Sequence, residues 1–130
     1  MSDRARETVE RLVEAMNNHD PQAVVELLAE GVLFWEPTYS EPRRGRDAVR
    51  RELEGFFAML PDIRYTTEII LAEGDRALHE WTYRASYEGR PVELRECSAI
   101  HFDGGGQMAE VRVYFDRLTL LRQLGLAPDL

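Results

Sequence analysis

The sequence predicts one α+β domain, with helices packed on one face of an antiparallel sheet. Two observations carry this. Up to Leu60 the apolar residues recur at helical spacing, and from Ile63 onward the period changes to two. Three turn signals, Gly74-Asp75, Glu88-Gly89 and Gly104-Gly105-Gly106, then cut the second half into four strand-like stretches. Helices followed by a run of strands give a layered α+β packing.

Each element has its own signal. Val9, Leu12, Val13 and Met16 form one stripe of an amphipathic first helix. Asn17-Asn18-His19-Asp20-Pro21 stops it and starts a second. There Asp20 caps, and Pro21 takes the first helical position, where a missing N–H costs nothing. Val24, Val25, Leu27 and Leu28 face inward until Gly31 ends that helix. A short strand over 32–36 follows, Pro37 stops it, and 38–44 reads as a polar loop. Val49, Leu53, Phe56, Phe57 and Leu60 mark a third helix, closed by Pro61. The four later strands form an antiparallel meander. Asp116 reads as the cap, rather than a catalyst, of a last short helix carrying Leu118, Leu121 and Leu124.

Composition narrows the function classes. The 130 residues suit a single domain over 1–130 with one core. A hydrophobic fraction of 44% beside 31% charged residues is that of a globular chain. The net charge of -8 argues against nucleic acid and anionic membrane surfaces, both of which need a basic face. Cys97 is the lone cysteine, so no intrachain disulfide forms, and no CxxC or HExxH spacing offers a metal site. The N-terminal segment is too polar for a signal peptide, and no apolar run approaches the roughly 20 residues of a membrane helix. A cytoplasmic protein without a cofactor is expected.

Strand parity sorts side chains by face. In the strand around Trp81, the apolar class is Ala77, His79, Trp81, Tyr83, Ala85 and Tyr87. In the next it is Val92, Leu94, Glu96, Ser98, Ile100 and Phe102, and in the last Ala109, Val111, Val113 and Phe115. In the first strand Val32, Phe34 and Glu36 share a face. Two carboxylates, Glu36 and Glu96, and one imidazole, His79, thus lie on faces that are otherwise apolar. Burying an ionised carboxylate is costly unless it is paired, and a carboxyl in an apolar pocket has its pKa raised, which suits proton transfer near neutrality. These three are the candidate catalytic residues. Simpler readings stand beside that one. Glu96 and His79, on adjacent strands, would pair with each other, and Glu36 at its strand end would be solvated. His19 reads as an exposed loop residue and His101 as a member of the opposite face. The stripe of Trp81, Tyr83 and Tyr87 is core, or a pocket wall if the sheet curves away from the helices.

The whole chain resembles the nuclear-transport-factor-two-like superfamily, in particular its SnoaL-like and ketosteroid-isomerase-like members. The carrying residues are Asn17-Asn18-His19-Asp20 with Leu27-Leu28-Ala29-Glu30, and Trp35-Glu36-Pro37 with Ser40-Glu41-Pro42-Arg43 and Gly45. Tyr87-Glu88-Gly89-Arg90, the turn at 103–106 and Tyr114-Phe115-Asp116-Arg117-Leu118 complete the likeness. The resemblance implies a curved antiparallel sheet wrapped by N-terminal helices into a cone, with one apolar pocket. It also implies a homodimer through the outer sheet face and cofactor-free acid–base chemistry. Leu12, Phe34, Trp81, Tyr83 and Ser98 would line the pocket, with Ile100, Val111, Val113 and Phe115. Ketosteroid isomerases use an Asp base and an oxyanion hole of a Tyr and a protonated Asp. Carried over, the base position is Glu36, the tyrosine position falls on Leu12, which cannot donate, and the aspartate position on Ser98. One such donor is worth about 2.7–4 kcal/mol in the transition state, so standard steroid isomerisation is not expected.

Two functions remain open from the sequence. One is an enzyme that isomerises or cyclises a small hydrophobic carbonyl compound with Glu36 as base and Glu96 or His79 as partner, epoxide hydrolysis being a variant. The other is a non-catalytic module that binds an apolar ligand or serves to dimerise.

Overall fold

The computed structural model describes residues 2–127. Helix α1 (Ser2–Asn17) buries Val9 fully, while Leu12, Val13 and Met16 of the same stripe are partly covered against the core. Helix α2 (Pro21–Glu26) starts at the expected cap: Asp20 accepts a hydrogen bond from the Ala23 N–H at 3.1 Å, with Pro21 in the first turn. It ends earlier than the sequence predicts. Strand β1 (Leu28–Trp35) already begins at Leu28 and runs straight through Gly31. The cause is tertiary. The Leu27 carbonyl accepts from the Met108 N–H at 3.0 Å, and Leu28 pairs with Met108, so the sheet takes residues whose local pattern also fits a helix.

The expected loop over 38–44 holds a two-residue strand, β2 (Arg43–Arg44), antiparallel to β1. Gly45 follows at φ +85, a left-handed conformation suited to glycine, and its N–H donates to the Val32 carbonyl at 2.8 Å. That bond ties the start of α3 (Arg46–Met59) to β1. The meander is as expected: β3 (Arg64–Glu73), β4 (Arg76–Tyr87), β5 (Arg90–Phe102) and β6 (Met108–Tyr114) pair antiparallel in order. Helix α4 (Arg117–Gln123) is capped by Asp116, which accepts from the Leu118 N–H at 3.1 Å.

The six strands lie in the order β2-β1-β6-β5-β4-β3, a curved, unclosed sheet with the N-terminal helices on its inner face. One pair departs from the antiparallel expectation: β1 runs parallel to β6. The α3–β3–β4–β5 connection between them is long enough for such a crossover. The register of β1 on β6 shifts between Leu28 and Leu33, and two bulges also shift parity within the meander. One falls at Glu68 in β3, and the other puts Met108 in the core in place of Ala109, which is only partly buried. His19 is not the exposed loop residue predicted. Its ring stacks on Phe57 at 5.0 Å and its Nε2 lies 2.7 Å from the Ile63 carbonyl oxygen.

Candidate active site

Alternation brings the expected side chains to the inner face. His79, Trp81, Tyr83, Ser98, Ile100, Val111 and Val113 are buried, and Phe34, Phe115 and Leu12 pack partly covered against them. Register then arranges them in rows across the sheet. His79 lies opposite Ser98, and Ser98 opposite Val113. Trp81 lies opposite Glu96 and Thr67. Tyr83 lies opposite Leu94 and Tyr65. The Glu96 row therefore falls between the His79 row and the tyrosine row.

Glu96 is half-buried as a residue, yet protein surrounds its carboxyl closely. Among the described residues its one hydrogen bond comes from the Trp81 indole N–H, at 3.1 Å to Oε1. Burial is the main influence and raises its pKa to about 8; the indole bond lowers it, and the charge of Glu36 raises it further. At neutral pH Glu96 is mainly a protonated acid.

His79 and Glu96 do not pair with each other, contrary to one expectation from adjacency. The register sets them one row apart. His79 Nε2 instead lies 3.0 Å from Thr67 Oγ1, and its ring stacks on Trp81 at 4.8 Å. Burial lowers its pKa to about 4, so the imidazole is neutral at pH 7. Its Nδ1 has no hydrogen-bond partner among the described residues.

Glu36 is the first residue beyond β1, not its last, and is half-buried rather than free in solvent. It accepts a hydrogen bond from the Thr38 hydroxyl. Burial raises its pKa; Thr38 lowers it, Glu52 raises it, and Arg43 and Arg117 lower it. The rim around it is polar and well paired. Arg43 Nε donates to Glu52 Oε1 at 2.8 Å, and the same guanidinium lies 4.0 Å from the Tyr39 ring centroid. Tyr39 in turn meets Phe34 edge-on at 5.9 Å. Tyr39, Arg43 and Glu52 were not singled out from the sequence, because a loop, a short strand and a helix bring them together.

Tyr65 was also missed. The bulge at Glu68 breaks β3 parity, so a face assigned from Ile70 does not carry back to Tyr65. Among the described residues no group of His, Cys, Asp and Glu is placed to hold a metal ion. A separate groove of about 430 Å³ lies between α1 and the β5–β6 turn, lined by Arg4, Glu7, Arg11, Glu26 and Gln107 among others. It is polar, neither Glu36 nor Glu96 lines it, and it is not the apolar pocket expected.

Solved structures share this architecture. A protein from Jannaschia sp. CCS1, provisionally named a SnoaL-like polyketide cyclase, superposes with a TM-score of 0.87 at 16% identity, over 98% of this chain and 96% of that one. A protein from Streptomyces galilaeus provisionally named a hydroxylase, AclR, gives 0.82 at 18% identity, over 100% and 90%. SalBIII, an epoxide hydrolase/cyclase-like enzyme of pyran ring formation in the polyether salinomycin, gives 0.80 at 18%, over 90% and 95%. At these identities the likeness is one of fold. Residues 9–111 match the family model of the SnoaL-like domain, and the chain belongs to that family, within the nuclear-transport-factor-two-like superfamily.

Proposed function

We propose that this protein catalyses cofactor-free proton transfer, as isomerisation or cyclisation, on a small hydrophobic carbonyl compound. One observation carries the reading: two carboxyls share the inner face, and burial raises the pKa of both, that of Glu96 much further than that of Glu36. Glu96 is held neutral up to about pH 8, while Glu36 sits at a polar rim beside Arg43 and Arg117. Such a split is how one site supplies both an acid and a base.

In this scheme the Glu36 carboxylate removes a proton from the carbon next to the ligand carbonyl. The C–H electron pair moves into the new C=C bond, and the carbonyl π pair moves onto oxygen. The Glu96 carboxylic acid donates a hydrogen bond or its proton to that oxygen. Where the ligand is an unsaturated ketone, return of the Glu36 proton to the far end of the conjugated dienolate completes an isomerisation; the carbonyl re-forms and any proton lent by Glu96 goes back to it. His79, neutral and stacked on Trp81, shapes the wall. The same Glu36 could activate a water for epoxide opening, as the SalBIII likeness invites.

The test is exchange of the acidic C–H of a model enone in deuterated buffer, followed by NMR. Glu36→Gln keeps the shape and removes the basicity. It should slow exchange by about 10²–10⁴-fold while the fold survives. Full exchange activity in that variant would sink the assignment.

A second reading, a non-catalytic ligand-binding or dimerisation domain, is favoured by Leu12 and Ser98, which stand where ketosteroid isomerases place strong donors. Titration of Glu36 separates the two: a raised pKa supports the enzyme, an unshifted one the binder. The reading includes a homodimer. On the outer face Leu71, Leu78 and Ala99 are cross-strand neighbours, as are Cys97 and Tyr114, and Leu71, Leu78 and Tyr114 are exposed. Trp35 joins this belt by packing against Tyr114 at 5.5 Å. A second copy would cover it. A monomer mass by light scattering at micromolar and higher concentration would count against that. A cytoplasmic location belongs to the same reading, supported by the acidic, cysteine-poor composition; no helix among the described residues is long and apolar enough to cross a membrane.

A further inference from the structure

Two buried hydroxyls on the inner face have no hydrogen-bond partner among the described residues: those of Tyr65 and Tyr83. The residues are 8% and 1% exposed, so water does not serve them from the surface. They are direct cross-strand neighbours, with ring centroids 5.9 Å apart. Each lies within reach of the charge that Glu96 would carry, and Tyr83 within reach of Glu36 as well. An unpaired buried hydroxyl costs about 1–3 kcal/mol, and the great majority of such groups in native proteins are paired. Phenylalanine at either position would avoid that cost and preserve the packing. The side of Glu96 away from His79 thus holds two donors with nothing to receive their protons.

We propose that Tyr65 and Tyr83 form an anchoring subsite for a ligand oxygen, a carbonyl or ether acceptor on an otherwise apolar molecule. The inference rests on the proposed reading for where the ligand sits. The tyrosine row lies two residues from the Glu96 row along β4, about 7 Å of strand at 3.3–3.4 Å per residue, and on the side opposite His79. The anchored oxygen therefore sits on the side of Glu96 away from His79. The substrate class is an apolar compound that presents an oxygen acceptor on that side of Glu96. Phe56, edge-on to Tyr83 at 5.9 Å and only partly buried, is the side chain that moves to admit it.

The probes are 2-acetylnaphthalene and 2-ethylnaphthalene, alike in shape, of which only the first has an oxygen. Binding is followed by tryptophan fluorescence. The wild type should prefer the ketone by about tenfold or more, since a site built around donors discriminates against a ligand without an acceptor. Tyr65→Phe and Tyr83→Phe should each reduce that preference by roughly threefold to tenfold, and the double variant should abolish it. Both single variants should melt at the wild-type temperature or above, because each removes an unpaired polar group. Equal binding of the two probes by the wild type, or no binding of either, overturns the proposal. So does an unchanged preference in the Phe variants, or a drop in melting temperature of several degrees, which would show that the hydroxyls already have structural partners. Glu36→Gln keeps the two failures apart. Exchange activity retained in that variant removes the base, whereas the ketone preference of the wild type and of the Phe variants tests the anchor without reference to Glu36.

Discussion

The rim and the floor of the inner face each hold a carboxyl, and burial raises the pKa of both, but much further at the floor. At the rim Glu36 has Thr38 as a donor and two arginines among its neighbours, which offset only part of the upward push of burial. At the floor Glu96 has, among the described residues, one indole N–H and no cation to balance burial. The same side chain is thereby biased toward a base in one place and toward an acid in the other. Solvation and neighbouring charge decide this, while the residue type is identical.

The largest expected effect tests that division directly. Glu36→Gln should lose about 10²–10⁴-fold in exchange rate at every pH. Glu96→Gln, which keeps a neutral donor at the same place, should lose far less, whereas Glu96→Leu should lose about 10²–10³-fold. Equal losses in the two Gln variants would break the distinction between rim and floor.

The second prediction is the pH profile. Activity should rise as Glu36 ionises and fall as Glu96 loses its proton near pH 8, giving a bell. Glu96→Gln should remove the basic limb alone. A basic limb that persists in that variant would show that another group sets it.

Stability should carry the mark of the floor as well. Below pH 4.5 Glu96 is neutral in both folded and unfolded chains, and its contribution to stability is intact. From there to about pH 8 the unfolded chain ionises and the folded one does not, so stability falls as pH rises, by at most about 1.4 kcal/mol per pH unit. His79 has the opposite sign. As pH falls from 6.5 to about 4 the unfolded chain gains the proton first, and stability is lost. The two oppose each other from about pH 4.5 to 6.5, which leaves the Glu96 decline visible above 6.5. Urea midpoints should show Glu96→Gln flattening that decline. His79→Gln should extend it down toward pH 4.5. A wild-type decline that Glu96→Gln leaves unchanged would mean that Glu96 is ionised in the folded protein.

The smallest effect comes from the single donor at the floor. Trp81→Phe removes the indole N–H that lowers the Glu96 pKa, so the basic limb should move to higher pH. The shift should be less than about one pH unit, the scale of one net hydrogen bond. A shift to lower pH would show that the indole acts on Glu96 mainly by shielding it from water.

Local chemistry alone settled much of this molecule. The Asp20-Pro21 start of α2, the Asp116 cap, the Pro61 stop and the period-two alternation of β4 and β5 are decided within a few residues. They place Glu96, Ser98, His79, Trp81 and Tyr83 on one face before any partner is known. Register is different, because it depends on which distant backbone groups pair. Only the assembled sheet decided that Glu96 faces Trp81 and not His79, and that Leu28 joins β6 instead of extending α2. It likewise decided that the Glu68 bulge brings Tyr65 to Tyr83. The acidities are also tertiary: a carboxyl is neutral or ionised according to how much water the fold removes and which charges it supplies, and those neighbours come from strands, loops and helices far apart in the chain.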